Sequence, residues 1–352
     1  MLLFVGAAPA CGGAAAKGAG FGVRPAASES INADDAAKSP AGDESIRQDA
    51  VSLEMNPKVD RAQVRLTALE QHAKERLDRA VAALSRDAGE AGFTDLGVLV
   101  ELSARQIERG SLGTGGESAR DLAEAEANLT RVLAIDEHSA PAFTQLALLH
   151  LAKAKTLGRP ELELAMGTCL RAMREHPAYA PLRNTAGLVE FELHNRPGAI
   201  RDFEAAVKLD ASYSEARMNL AGSLLSTRRF EAAERAYDQV LDVRSNDYEA
   251  LLGRALARRG QINDANFRAQ VASVESDLER CKELDPDRPE AYFNQAILAD
   301  RLQLAAAPTD KTTVVERARS LFDTFIAKAA ERPEYAREIR LAKQRVRYLS
   351  SK

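Results

Sequence analysis

The sequence predicts an all-α protein built from repeated helical hairpins, and three observations carry that prediction. Ala, Leu, Glu and Arg dominate a chain with 28% charged residues, only 5% aromatics and no Trp; a β fold would draw more heavily on Val, Thr, Tyr and Phe. Apolar residues recur at three- and four-residue steps through most of the chain, the spacing of one helix face. A 34-residue pattern occurs twice without a gap between 180 and 247. At 352 residues the chain exceeds one ordinary compact domain, so an elongated array or several domains is expected.

The N-terminal residues read as a targeting segment and a tether. Met1 to Ala10, MLLFVGAAPA, is an apolar run that closes on small residues before Cys11 and Gly12-Gly13. It resembles the end of a bacterial lipoprotein signal, in which the cysteine is lipidated and becomes the mature N-terminus. Two departures weaken the match: Ala8-Pro9-Ala10 lacks a leading Leu, and no Lys or Arg precedes the run. The resemblance makes 1–11 a signal remnant ending at lipidation residue Cys11. Gly12, where an Asp would imply inner-membrane retention, points to an outer-membrane lipoprotein facing the periplasm. If the segment is no signal, the chain is cytoplasmic. Residues 12–55, rich in Ala, Gly, Ser and Asp with Pro25 and Pro40, cannot offset their conformational entropy by burial, which predicts a disordered tether spanning roughly 35 Å.

From 56 to 89 a long helix is expected, with Leu66, Leu69, Ala73, Leu77, Ala80 and Leu84 on one stripe. The repeats follow. Aligning 180–213 with 214–247 places Gly187 on Ala221, Ala199 on Ala233, Phe203 on Tyr237 and Ala206 on Val240. The period and the small, small, aromatic order resemble the tetratricopeptide repeat, in which two antiparallel helices approach at small residues and the ring fills the space toward the next unit. With insertions the register extends to six units: 90–139, 140–179, 180–213, 214–247, 248–288 and 289–332. The insertions are expected as a Gly-rich loop at Gly110 to Gly116, six residues around Gly158 to Pro160, longer helices around Gly260 to Phe267, and a loop near Ala305 to Thr312. Residues 333–352 close the array with a capping helix on the stripe Ile339, Ala342, Val346 and Leu349. That helix is basic, with Arg337, Arg340, Lys343, Arg345 and Arg347 against Glu338.

The resemblance implies a right-handed superhelical solenoid whose first helices line a concave partner groove. By position in the unit, the groove residues are Thr144, Leu148 and Leu151; Asn184, Leu188 and Phe191; Met218 and Leu225; Leu252, Leu256 and Arg259; Phe293, Ile297 and Arg301. Such a groove is mostly apolar and suits an amphipathic helix or an extended apolar peptide. The positively charged and amide clamp with which some members hold a C-terminal carboxylate is missing. The same face could instead be covered by the array's own terminal segments or closed by twist.

No catalytic, metal or cofactor site is readable. The five His are scattered, no phosphate-cradling Gly loop carries its Lys, and Cys169 and Cys281 fall at packing places of the repeat. Net charge is -4, without the basic footprint of a nucleic-acid binder, and no small-molecule substrate is implied. The expectation is therefore a non-enzymatic scaffold, tethered at Cys11, that assembles proteins of an envelope complex such as a motility, pilus or secretion machine. In overall character the chain resembles the tetratricopeptide lipoproteins of Gram-negative envelopes, those of myxobacterial gliding motility among them. A cytosolic adaptor, or a non-catalytic subunit presenting substrate to an enzyme, is the alternative.

Overall fold

The computed structural model of the protein describes residues 2–4, 20–22, 68–113, 115–303 and 311–351. Cys11 and nearly all of the 12–55 tether lie outside these residues. Two three-residue strands, β1 (Leu2–Phe4) and β2 (Gly20–Gly22), pair with each other, so three residues of the expected structureless tether are extended and hydrogen-bonded. Everything else with regular structure is helical. The described chain forms two compact units, with the boundary between Leu220 and Ala221.

The first unit contains α1 (Ala68–Glu90), α2 (Leu96–Leu112), α3 (Gly116–Ile135), α4 (Ala140–Leu157), α5 (Arg159–Glu175), α6 (Ala180–Glu192), α7 (Arg196–Leu209) and the start of α8 (Ser214–Ser226). Helices α2/α3, α4/α5 and α6/α7 pack as hairpins, α1 packs on α2, and the first helices α2, α4 and α6 are also neighbours. The starts are local chemistry. Asp95 caps α2 by accepting from the Val98 amide at 3.1 Å, and Asn195 caps α7 through the Gly198 amide at 3.2 Å. Helices α4 to α7 each carry a proline in the first turn, where its missing N–H costs nothing. Leu99, Leu102, Leu129, Val132, Ala142 and Leu149 form a continuous core across the first two hairpins.

Two connections differ from expectation. Gly110 is helical, inside α2, because a side chain there would meet Leu122 at 3.1 Å and the Ser118 carbonyl at 3.2 Å: it is a close-packing glycine of the α2/α3 contact, and the turn begins only at Gly113. In the α4/α5 hairpin the extra residues lengthen both helices, to 18 and 17 residues, and the joint is Gly158 alone, at φ +82°.

The second unit continues with the end of α8, α9 (Phe230–Leu241), α10 (Tyr248–Arg259), α11 (Phe267–Leu284), α12 (Glu290–Ile297), α13 (Lys311–Ala329) and α14 (Ala336–Ser350). The insertion expected to lengthen helices around Gly260 to Phe267 leaves α10 at 12 residues; it extends α11 to 18 and makes a polar connection held by Asn263 and Asn266. Asn and Asp bond nearby backbone readily, which favours a turn over more helix here. Helix α12 runs into a π-helical segment, Leu298–Gln303, and Lys311 and Thr312 belong to α13. A 3₁₀ turn at Pro333–Tyr335 leads into α14, whose Ala342 and Leu349 join Phe293, Phe322, Phe325 and Tyr335 in the terminal core.

Candidate functional site

The hairpins reproduce the small-against-large packing that the repeat pattern demands. Gly187 of α6 faces Phe203 of α7 so closely that a Cβ would sit 2.6 Å from the ring, and both are buried. That ring fills its own hairpin, whereas the expected contact with a following unit is made by Tyr237, which lies against Gly253 on α10. The turn residues His194 and Arg228, 34 positions apart, both adopt left-handed φ near +60°. That repeat of backbone geometry is invisible in the side-chain pattern, since neither residue is glycine.

Twelve of the fourteen proposed groove residues are buried: Thr144, Leu148, Leu151, Asn184, Leu188, Phe191, Met218, Leu225, Leu256, Arg259, Phe293 and Ile297. Leu252 and Arg301 are half-buried. The Thr144 hydroxyl donates to the Ala140 carbonyl at 2.8 Å. These side chains therefore leave little surface for a partner, and Leu252 and Arg301 leave the most. In the first unit the physical reason is visible: first helices lie directly beside each other, so residues facing inward also face a neighbouring helix.

What distinguishes this face chemically is its buried polar groups. In the first unit the Asn219 amide donates to the Asn184 side-chain oxygen at 2.9 Å, and Asn184 donates to the Tyr213 hydroxyl at 3.3 Å. Burial pushes the Tyr213 hydroxyl pKa well above its ordinary value, so it stays a neutral partner. In the second unit Arg259 donates to the Asn294 side-chain oxygen at 3.0 Å. Burial lowers the Arg259 pKa to about 9, which leaves it cationic at neutral pH. Gln145, Thr185, Asn219 and Asn294 were missed by counting only the groove places of the unit; the available signal was a polar residue interrupting an apolar helix.

The half-buried Arg301 sits with its Nε 3.6 Å from Asp300, and burial followed by the repulsion of Arg345 lowers its pKa. Both described cysteines are fully buried free thiols. Burial raises the Cys169 pKa to about 12 and that of Cys281 further, so neither supplies a thiolate, in keeping with their packing places. Among the described residues no cluster of His, Cys, Asp or Glu could hold a metal ion, and no helix is long and apolar enough to cross a membrane.

The tetratricopeptide-repeat family profile matches residues 190–255, which span the end of α6 through most of α10. No curated protein matches the sequence. Among solved structures, the chain is similar to a thermophilic tetratricopeptide-repeat protein of Thermus thermophilus at 23% identity and TM-score 0.46, covering 60% of this chain and 98% of that one. A tetratricopeptide-repeat protein from Parabacteroides merdae aligns at 16% identity and TM-score 0.46, over 84% of this chain and 98% of its own. Yeast Tom70 aligns at 14% identity and TM-score 0.46, over 90% of this chain and 66% of its own. The profile match and the Gly187–Phe203 and Tyr237–Gly253 packing agree that the segment 190–255 is built of tetratricopeptide-type helical hairpins.

Proposed function

We propose that the protein is a non-catalytic scaffold of the bacterial envelope, anchored through a lipid on Cys11, that assembles a multiprotein complex by holding partner segments along its first-helix faces. Tetratricopeptide repeats generally serve protein–protein interaction, because stacked hairpins present long surfaces without a reactive centre. The observation that carries the reading is the row of neighbouring first helices α2, α4 and α6 in the first unit, with Leu252 of α10 and Arg301 after α12 left half-buried in the second. The lipid anchor is supported by the apolar, small-residue run before Cys11.

Two experiments test the proposal. Wild type expressed in its native source is expected in the membrane fraction, with Cys11→Ser released; both proteins in the cytosol would make it a cytosolic adaptor. For the partner face, glutamate at Leu188 or Leu256 would confuse binding with unfolding, since both are buried. Leu252→Glu with Arg301→Glu alters the two half-buried positions. Co-purification of envelope partners is expected to fall by an order of magnitude or more, as for loss of interface anchors. Partner recovery unchanged in this folded double variant would place the binding surface elsewhere.

A further inference from the structure

Helix α14 sorts its charges by face. Arg337, Arg340, Lys343 and Arg347, at steps of three, three and four, are all exposed along one side. Among the described residues none of the four has an ion-pair or hydrogen-bond partner, although carboxylates are plentiful in the chain. The remaining charges of the helix point inward. Arg345 is bound to Asp300 by two hydrogen bonds, of 2.7 and 2.6 Å. Glu338, the one carboxylate of the helix, is only 5% exposed, and both its oxygens lack a side-chain partner. Burial raises its pKa against the opposing attraction of Arg337 and Arg340. Tyr348, 45% exposed, lies beside this side with the Arg345 guanidinium 4.6 Å over its ring.

We propose that this outer side of α14 docks on an anionic lipid surface. The complementarity is one of charge and of shape. The apolar stripe of α14 is already spent in the terminal core, so what remains for a partner is cations with one amphipathic aromatic, the residue types that sit at headgroup level. The outer side of a single helix is convex and, over Arg337 to Arg347, about 15 Å long, with no cleft to enclose a peptide. A plane of phosphate headgroups needs no cleft. The inference goes beyond the scaffold reading and stands apart from Cys11 lipidation.

The test uses the full chain carrying Cys11→Ser, which cannot be lipidated, and co-sedimentation with vesicles of phosphatidylcholine alone or with 30% phosphatidylglycerol, roughly the anionic content that gives a strong surface potential. Binding is expected only to the anionic vesicles and should fade near 0.5 M salt, where the Debye length is only about 4 Å. Each of Arg337→Gln, Arg340→Gln, Lys343→Gln and Arg347→Gln is expected to lower partitioning about fivefold, and together they should abolish it. An equal loss of charge from exposed positions elsewhere in the same unit, Arg229→Gln, Arg235→Gln, Arg268→Gln and Lys311→Gln, should leave binding in place. Anionic vesicles left unbound by wild type, or equal loss in both quadruple variants, would overturn the proposal. So would retention on immobilised polyglutamate without vesicle binding, which would assign the face to an acidic protein. None of these outcomes bears on the partner face or the tether, whose tests use different variants and readouts.

Discussion

A missing Cβ sets the distance between two helices at Gly187. With the Phe203 ring fully buried against it, an added methyl has nowhere to go, so Gly187→Ala is expected to destabilise the first unit by about 1–3 kcal/mol through overpacking. Urea denaturation measures the loss. Combining it with Phe203→Leu should restore part of the stability lost by the alanine, whereas additive losses would show that the two residues do not share one space. The sequence showed small and aromatic residues at fixed places in a 34-residue period but directed the ring toward the next unit, which holds for Tyr237 on Gly253 and not for Phe203 on Gly187. The exposure of individual groove residues was not legible. Leu148 and Leu188 have the same local pattern whether the face is open or closed; burial there depends on how neighbouring first helices stack, which no single helix encodes.

At the scale of elements, the end of the chain is fixed by a charge pair that the sequence showed only as part of a basic stretch. The π-helical segment after α12 carries Asp300, whose side chain is completely enclosed, and α14 brings Arg345 to it with both nitrogens bonded. Arg345→Leu would leave a carboxylate buried beside only the more distant Arg301. A loss of about 3–5 kcal/mol is expected, the usual cost of removing one member of a buried pair. Thermal unfolding followed by circular dichroism checks it, and a change below about 1 kcal/mol would mean that water reaches Asp300. The sequence predicted the helix and its inward stripe correctly from periodicity. It could not separate Arg345 from Arg337, Arg340, Lys343 and Arg347, because inward and outward arginines differ only by their angle around the axis.

Across the whole molecule, the second unit has an acid-sensitive junction. Glu290 at the start of α12 accepts from Arg288 at 2.8 Å and from the Tyr335 hydroxyl at 2.8 Å, while Arg288 also holds Glu249 of α10 at 2.6 Å. Burial alone would raise the Glu290 pKa, but the attraction and hydrogen bond of Arg288 outweigh it and lower the value to about 2. A carboxylate with a folded pKa below its unfolded one contributes stability that is complete above about pH 4.5 and lost as pH falls toward 2. The contribution is on the order of 3 kcal/mol. Urea midpoints of wild type are expected to fall across that window, with Glu290→Gln both less stable at pH 7 and flatter in its pH response. A parallel pH profile for the two proteins would remove Glu290 from the acid transition. At this scale the sequence conveyed the hairpin architecture, because periodicity and repeat length survive insertions; where the insertions went was decided by packing and turn chemistry, as at Gly110 and at Asn263 and Asn266. The two altered hairpins consequently differ in how much length they can absorb. The α4/α5 joint is one glycine at a backbone angle other residues resist, so adding or deleting a residue there would rotate one long helix against the other by about 100°. The 260–266 connection ends in exposed Asn263, Asp264 and Ala265, and it is the place to splice in an epitope or fluorophore loop while leaving both the proposed lipid anchor and the cationic C-terminal helix untouched.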